Sequence, residues 1–251
     1  MLVLASFLPM SLVFAENGSS NSSVKSERGE SENKMIKGNG NFCSRISTVT
    51  TKVAEQITTA ESRQLKNQED RSNKITKKES DSDAKRAQGR TEADGKRLKN
   101  WDKMTTKAAT DAQKAAVTAY KEAIKQAVDT RRTAVDAAVK AYRDGLTSAM
   151  TSHTGAIDTA MAAFKTTVNS ALTKAQADCT AGVADKTVKD TFNKAVSDAR
   201  KVLQDAKKAA EMSSGLTALK KTRDDAIKAA ETTFKTATEK ARADLMLALK
   251  K

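Results

Sequence analysis

The side chains best suited to chemistry are scarce in this chain: one histidine, His153, and two cysteines, Cys43 and Cys179. A zinc site usually takes four ligands, so one histidine and two distant cysteines cannot complete one within a single chain. No glycine-rich phosphate loop, nucleophile elbow or paired-carboxylate pocket is visible. Carboxylates are plentiful, with 31 Asp and Glu beside 45 Lys and Arg. On slim helices, however, they project outward, away from the enclosed cavities that shift pKa values toward catalytic use. The sequence thus offers no catalytic residue, metal ligand, cofactor site or small-molecule substrate, and a protein that is not an enzyme is expected.

The elements that would position these residues are helices. The only proline is Pro9, and a proline inside a helix costs about 3 kcal/mol, so its absence from the rest of the chain is a strong helix signal. Only 38% of the 251 residues are apolar and 4% aromatic, and alanine supplies much of the apolar share. Alanine buries little area, which disfavours a thick globular core and favours slim packed helices. The fold class expected is all-α, with long, nearly straight helices in a coiled-coil-like arrangement or elongated bundle.

Residues 1–15 form an uncharged apolar run ending in Val13, Phe14 and Ala15, read as a signal peptide cleaved after Ala15, which predicts export to the periplasm, cell surface or medium. The run is short for a membrane span, which needs roughly 20 apolar residues. Residues 16–41 are rich in Ser, Asn, Gly and Glu and read as a disordered polar linker. From Phe42 the spacing of Ile46, Val49, Val53 and Ile57 predicts a helix. Its apolar face thins to Leu65, Ile75 and Leu98 amid dense charge, and Gly89 and Gly95 suggest a turn. A charged helix over 42–94 and a long helix over 95–182 are therefore expected.

The long helix carries an 11-residue period. In blocks counted from Val117, the first column holds Val117, Val128, Val139, Met150, Met161 and Leu172. The fourth holds Tyr120, Arg131, Tyr142, His153, Phe164 and Ala175, and the eighth Ile124, Val135, Leu146, Ile157, Val168 and Cys179. His153 therefore reads as a packed side chain, and Trp101 as the cap of the stripe. Eleven residues over three turns drift only about 20° per block from an ideal helix, so the stripe stays on one face as a seam for a second helix. That seam is also the surface through which copies of the chain would associate. Gly182 reads as a C-terminal cap and Asp185 as the opening of the next helix. A helix marked by Phe192, Val196, Ala199 and Leu203 follows, with a second interruption at Ser213 to Gly215. The period then returns in Leu216, Ile227 and Leu249, so residues 185–251 are expected to fold back along the long helix.

Disulfide formation requires α-carbons within about 7 Å. If Cys43 and Cys179 join within one chain, the hairpin midpoint falls near Asp111, in what reads as unbroken alanine-rich helix. A turn at Gly89 to Gly95 instead sets Cys43 beside Ala141. An unseen turn, an antiparallel dimer joined through both cysteines, and free thiols are all open, with a bond of some kind favoured in an exported chain.

The net charge of +14 raises anionic partners. Acidic residues are interleaved throughout, as in Asp136 with Lys140, Asp190 with Lys194, Asp224 with Lys228 and Glu231 with Lys235, an order that stabilises solvated helix faces. The leading functional expectation is an exported structural or binding protein of the cell envelope, a spacer or scaffold. The alternative is a membrane-surface or anionic-polymer binder, and weak nonspecific attraction to such surfaces is expected in either case.

The eleven-residue blocks, with alanine recurring at positions three, seven and eleven, resemble those of the apolipoproteins and of desiccation-protective late-embryogenesis-abundant proteins. The likeness covers about residues 106–182 and 216–249 and implies helix formation on membranes or during drying. The chain departs from these families in carrying large apolar residues at three columns of most blocks. Its plan of apolar leader, polar linker, Phe42-Cys43, Ala/Lys-rich helix and break at Cys179 to Gly182 is also similar to that of uncharacterised exported helical-rod proteins of bacteria, a resemblance that carries no known activity.

Overall fold

The computed structural model describes residues 41–250, apart from the side chains of Ser213 and Ser214, so the leader and nearly all of the polar linker lie outside the described residues. The protein is all-α. A 3-10 turn (Cys43–Arg45) leads into α1 (Ile46–Lys107), followed by α2 (Asp111–Thr180), α3 (Asp185–Ala209) and α4 (Ser213–Leu249). The 70 residues of α2 correspond to an axis of about 105 Å.

Gly89 and Gly95 do not turn the chain; both lie inside α1 with open space where a Cβ would stand. The turn is at Ala108 to Thr110, so the boundaries expected at 94 and 95 move to Lys107 and Asp111. Its cause is a capping box. The Thr110 hydroxyl accepts from the Gln113 backbone N–H at 3.2 Å, and the Gln113 side chain accepts in return from the N–H groups of Ala109 and Thr110. These contacts satisfy donors that the first turn of α2 leaves open. Two isolated glycines cost about 1 kcal/mol each and are outweighed by the long helical stretches around them.

The second turn follows Thr180, where Gly182 adopts φ 76°, the left-handed conformation that favours glycine. Asp185 does not cap its own helix. Its Oδ1 instead accepts the Cys43 backbone N–H at 2.7 Å, tying the start of α3 to the start of the hairpin. The third break is at Ala210 to Met212, just ahead of the Ser213 to Gly215 stretch that the sequence suggests.

α1 runs antiparallel to α2, and α3 and α4 return in succession along a different flank of α2. Buried apolar side chains gather at two places. Near the disulfide lie Val49, Val53 and Ile57 of α1, Val168, Leu172 and Ala175 of α2, and Val188, Phe192 and Val196 of α3. There Phe42, only 3% exposed, meets Phe192 with ring centroids 5.7 Å apart. Near the Ala108 turn, Ile124, Val128 and Ala241 form a cluster against which Trp101, Tyr120 and Phe234 pack. Between these places α1 buries no side chain from residue 58 to residue 100. Leu65 and Leu98, expected on its buried face, are 64% and 56% exposed; Ile75 is half-buried.

Candidate functional site

The residues singled out for chemistry have structural surroundings. Cys43 and Cys179 form one disulfide within the chain, with α-carbons 5.4 Å apart. The bond fits a hairpin whose midpoint is near Asp111, because the alanine-rich stretch there is broken by the capped turn. His153 is half-buried at the α3–α4 break. Its Nδ1 lies 2.7 Å from the Ala210 carbonyl oxygen, an orphan acceptor at the end of α3, and its Nε2 lies 3.4 Å from Arg71 Nη1. Among the described residues, no three His, Cys, Asp or Glu side chains converge as a metal site requires. A shallow depression of about 560 Å³ is lined by Thr166, Asn169, Ser170, Thr173, Lys174 and Ala177, all on one stretch of α2.

The seam of α2 is covered by the chain's own helices. Val117, Ile124, Val128, Met161, Val168 and Leu172 are buried, and Tyr120, Val135, Val139, Tyr142, Leu146, Met150, Ile157 and Phe164 are half-buried. These are the side chains expected to meet a second helix, and α1, α3 and α4 of the same chain pack against them. Toward α4, two aromatic–arginine contacts alternate between the helices. Arg131 of α2 stacks over Phe234 at 5.0 Å, and eleven residues on, Tyr142 of α2 receives Arg223 of α4 at 4.7 Å. Arg131 also donates to Glu231 at 2.8 Å.

Toward α1, besides the apolar packing at its two ends, a row of polar contacts recurs at steps of eleven on both helices. Lys121 donates to the Thr105 hydroxyl, Arg132 to Asp94 at 2.8 Å, Arg143 to both Asp83 oxygens at 2.8 and 2.9 Å, Lys165 to Glu61 at 3.0 Å, and Gln176 to the Thr50 hydroxyl at 3.2 Å. The α2 donors all come from the fifth column of the repeat. The α1 acceptors Thr50, Glu61, Asp83, Asp94 and Thr105 keep the same step, with Ser72 in the remaining register position opposite Thr154. A parallel row adds a two-pronged contact from Arg90 to Asp136 at 2.7 and 2.9 Å and one from Gln68 to Asp158 at 3.2 Å. Arg86 and Arg97 brace Asp83 and Asp94 from within α1.

The charges respond to this geometry. The Arg143 hydrogen bonds hold the Asp83 carboxyl below its ordinary value, and those from Arg90 do the same for Asp136. At Asp94 burial pushes the pKa up, but hydrogen bonds from Arg97 and Arg132 outweigh it and the net direction is down. At Asp185 the Cys43 and then the Phe42 backbone N–H groups lower the pKa. Burial raises that of the Tyr120 phenol.

The charge pairing differs from the expected order. Asp136 pairs with Arg90, Glu231 with Arg131, Asp224 with Arg223 and Asp190 with Lys186. The pairs four residues apart run from lysine to acid, as in Lys140–Asp144, Lys194–Asp198 and Lys221–Asp225, the orientation less favoured by the helix dipole. Arginines across the helix seams take two of the four acids that sequence spacing assigns to lysines, Asp136 and Glu231.

Among the described residues no helix is long and apolar enough to cross a membrane. No protein-family model, curated protein or solved structure matches this chain.

Proposed function

We propose that the chain is an exported, non-enzymatic helical protein of the cell envelope that acts as a spacer or scaffold, with the 11-residue repeat as the ruler that keeps its helices in step. The observation that carries this reading is the recurrence of matched polar contacts from Thr50–Gln176 to Thr105–Lys121, which preserves one register along nearly the whole of α1 and α2. A second seam with the same step runs between α2 and α4. Such helices resist sliding past one another, as a mechanical spacer requires. The intramolecular disulfide supports export, because these bonds persist mainly in oxidising compartments.

Fractionation of the producing cells, with amino-terminal sequencing and thiol alkylation, tests the location. The protein is expected outside the cytoplasm, starting after Ala15 and without free thiols; cytoplasmic protein with two alkylatable cysteines would refute export. The ruler is tested by deleting residues 88–98, 128–138 and 226–236 together. This variant is expected to melt cooperatively and to be shorter by about 16 Å, whereas deleting only residues 130–135 turns the rest of α2 by about 240° and destroys the register. Equal behaviour of the two variants refutes the ruler.

A further inference from the structure

One block of the row between α1 and α2 is served by a different kind of side chain. The fifth column supplies Lys121, Arg132, Arg143, Lys165 and Gln176, but in the fourth block it holds Thr154. Beside Thr154 stands His153, the chain's only histidine, whose Nε2 lies 3.4 Å from Nη1 of Arg71 on α1. Among the described residues this is the one polar side-chain contact that ties α1 to α2 between Gln68, which meets Asp158, and Glu79, which meets Arg143.

The ring is engaged on both edges. Its Nδ1 lies 2.7 Å from the Ala210 carbonyl oxygen at the end of α3. A carbonyl only accepts and a guanidinium only donates, so Nδ1 carries the proton of the neutral ring and the Nε2 lone pair accepts from Arg71. A second proton can go only to Nε2. It removes the acceptor that Arg71 uses and sets two cations against each other. The Nδ1–H bond to Ala210 becomes charge-assisted at the same time, and the negative end of the α3 dipole favours it. One proton therefore strengthens the first contact and breaks the second.

The surrounding charges leave this exchange in place. α2 carries no charge between Asp144 and Asp158, and Asp158 accepts from Gln64 and Gln68. On α1 the charged neighbours of Arg71 are Asp70 and Lys74, and at the end of α3 and in the break they are Lys207, Lys208 and Glu211, all exposed. α4 carries no charge before Lys220. Among these groups Arg71 is the one in contact with the ring.

We infer that His153 is a proton-operated coupler between the two flanks of α2. Neutral, it ties both α1 and the α3–α4 break to α2; protonated, it keeps the break and releases α1 between Gln68 and Glu79. The device works between about pH 8 and about pH 5, where an imidazole changes charge, whereas the carboxylates of the row need stronger acid. The inference does not depend on the spacer reading.

The test uses the full oxidised chain. Nitrogen NMR of the imidazole at about pH 7.5 should show the proton on Nδ1 and none on Nε2. Amide protection factors, which remove the intrinsic pH dependence of exchange, should fall about two- to fivefold between Gln68 and Glu79 as pH drops from about 7.5 to about 5.5. Those of α2 around His153 should hold. In His153→Phe, which places the aromatic found at Phe164 in the same column, and in His153→Gln, the fall should be absent. In Arg71→Ala the same stretch of α1 should be less protected already at the higher pH and should not change further. Circular dichroism establishes that each variant keeps its helices. A neutral ring protonated at Nε2, equal protection of the α1 stretch at the two pH values, or an undiminished fall in any of the three variants would each overturn the inference.

Discussion

The two flanks of α2 solve the same packing problem with different chemistry. Toward α3 and α4 the helix presents alanine, small hydrophobes and aromatic rings, and α-carbons come within 8 Å along much of its length. Ala127, Ala138, Ala230 and Ala241 are buried, and Gly145 lies so close to Leu219 that a Cβ there would stand 2.6 Å from Leu219 Cδ2. Toward α1 the close approach is confined to fewer positions, and arginine, lysine and glutamine span the rest. The lesson is that one period can specify two kinds of seam. Alanine permits close contact, whereas long side chains fix register across a wider, partly exposed seam in which each contact is weak.

Variants in the buried places should show the largest effects. Phe192→Ala removes a ring that is 2% exposed and meets Phe42, and a loss of about 3–5 kcal/mol is expected in chemical denaturation. Replacing Cys43 and Cys179 by Ser comes next. The bond spans 136 residues, and opening it should cost about 2–4 kcal/mol, read as a lower melting temperature that reductant reproduces in the parent and does not alter further in the variant.

The polar seam should yield individually small and salt-sensitive effects. In a double-mutant cycle, Arg132→Ala and Asp94→Ala should couple by less than about 1 kcal/mol, and the coupling should shrink as salt rises. Acid acts in the same direction. Asp83, Asp94 and Asp136 have folded pKa values below the ordinary 3.8, so their stabilising contribution is complete above that value and is lost as pH falls through the lower folded values. Denaturation measured from pH 5 downward should therefore show α1 loosening before the α2–α4 seam.

Glycine replacement distinguishes the flanks by the space they leave. Gly89→Ala and Gly95→Ala should each stabilise by about 1 kcal/mol, because the new methyl meets nothing and helix propensity improves. Gly145→Ala should gain less, since Leu219 must move aside. Three melting curves check the order.

The helical class was legible because helix-forming residues run on without proline and the apolar columns keep one period. The break at Gly182 and the fold-back of the last part of the chain were legible for similar local reasons. The turn at Ala108 to Thr110 was hidden by alanines that continue the columns across it, although Thr110 and Gln113 have the spacing of a capping box. The α1 seam carries no apolar period, because its positions are filled by Glu61, Asp83, Asp94 and their neighbours, and the large apolar residues between 58 and 100 are only Leu65, Ile75 and Leu98. Its signal is charge at the same step of eleven: Glu61, Asp83 and Asp94 opposite Lys165, Arg143 and Arg132. Partner choice among charges was the least legible, because an arginine on another helix can take an acid from a nearby lysine.

Amide hydrogen exchange resolved along the chain, at low and at high salt, tests the contrast most directly. Amides of α1 between residues 60 and 97 should exchange faster in high salt while those of α2 from 117 to 172 stay protected. Equal, salt-independent protection in both stretches would contradict a polar seam on one flank and an apolar seam on the other.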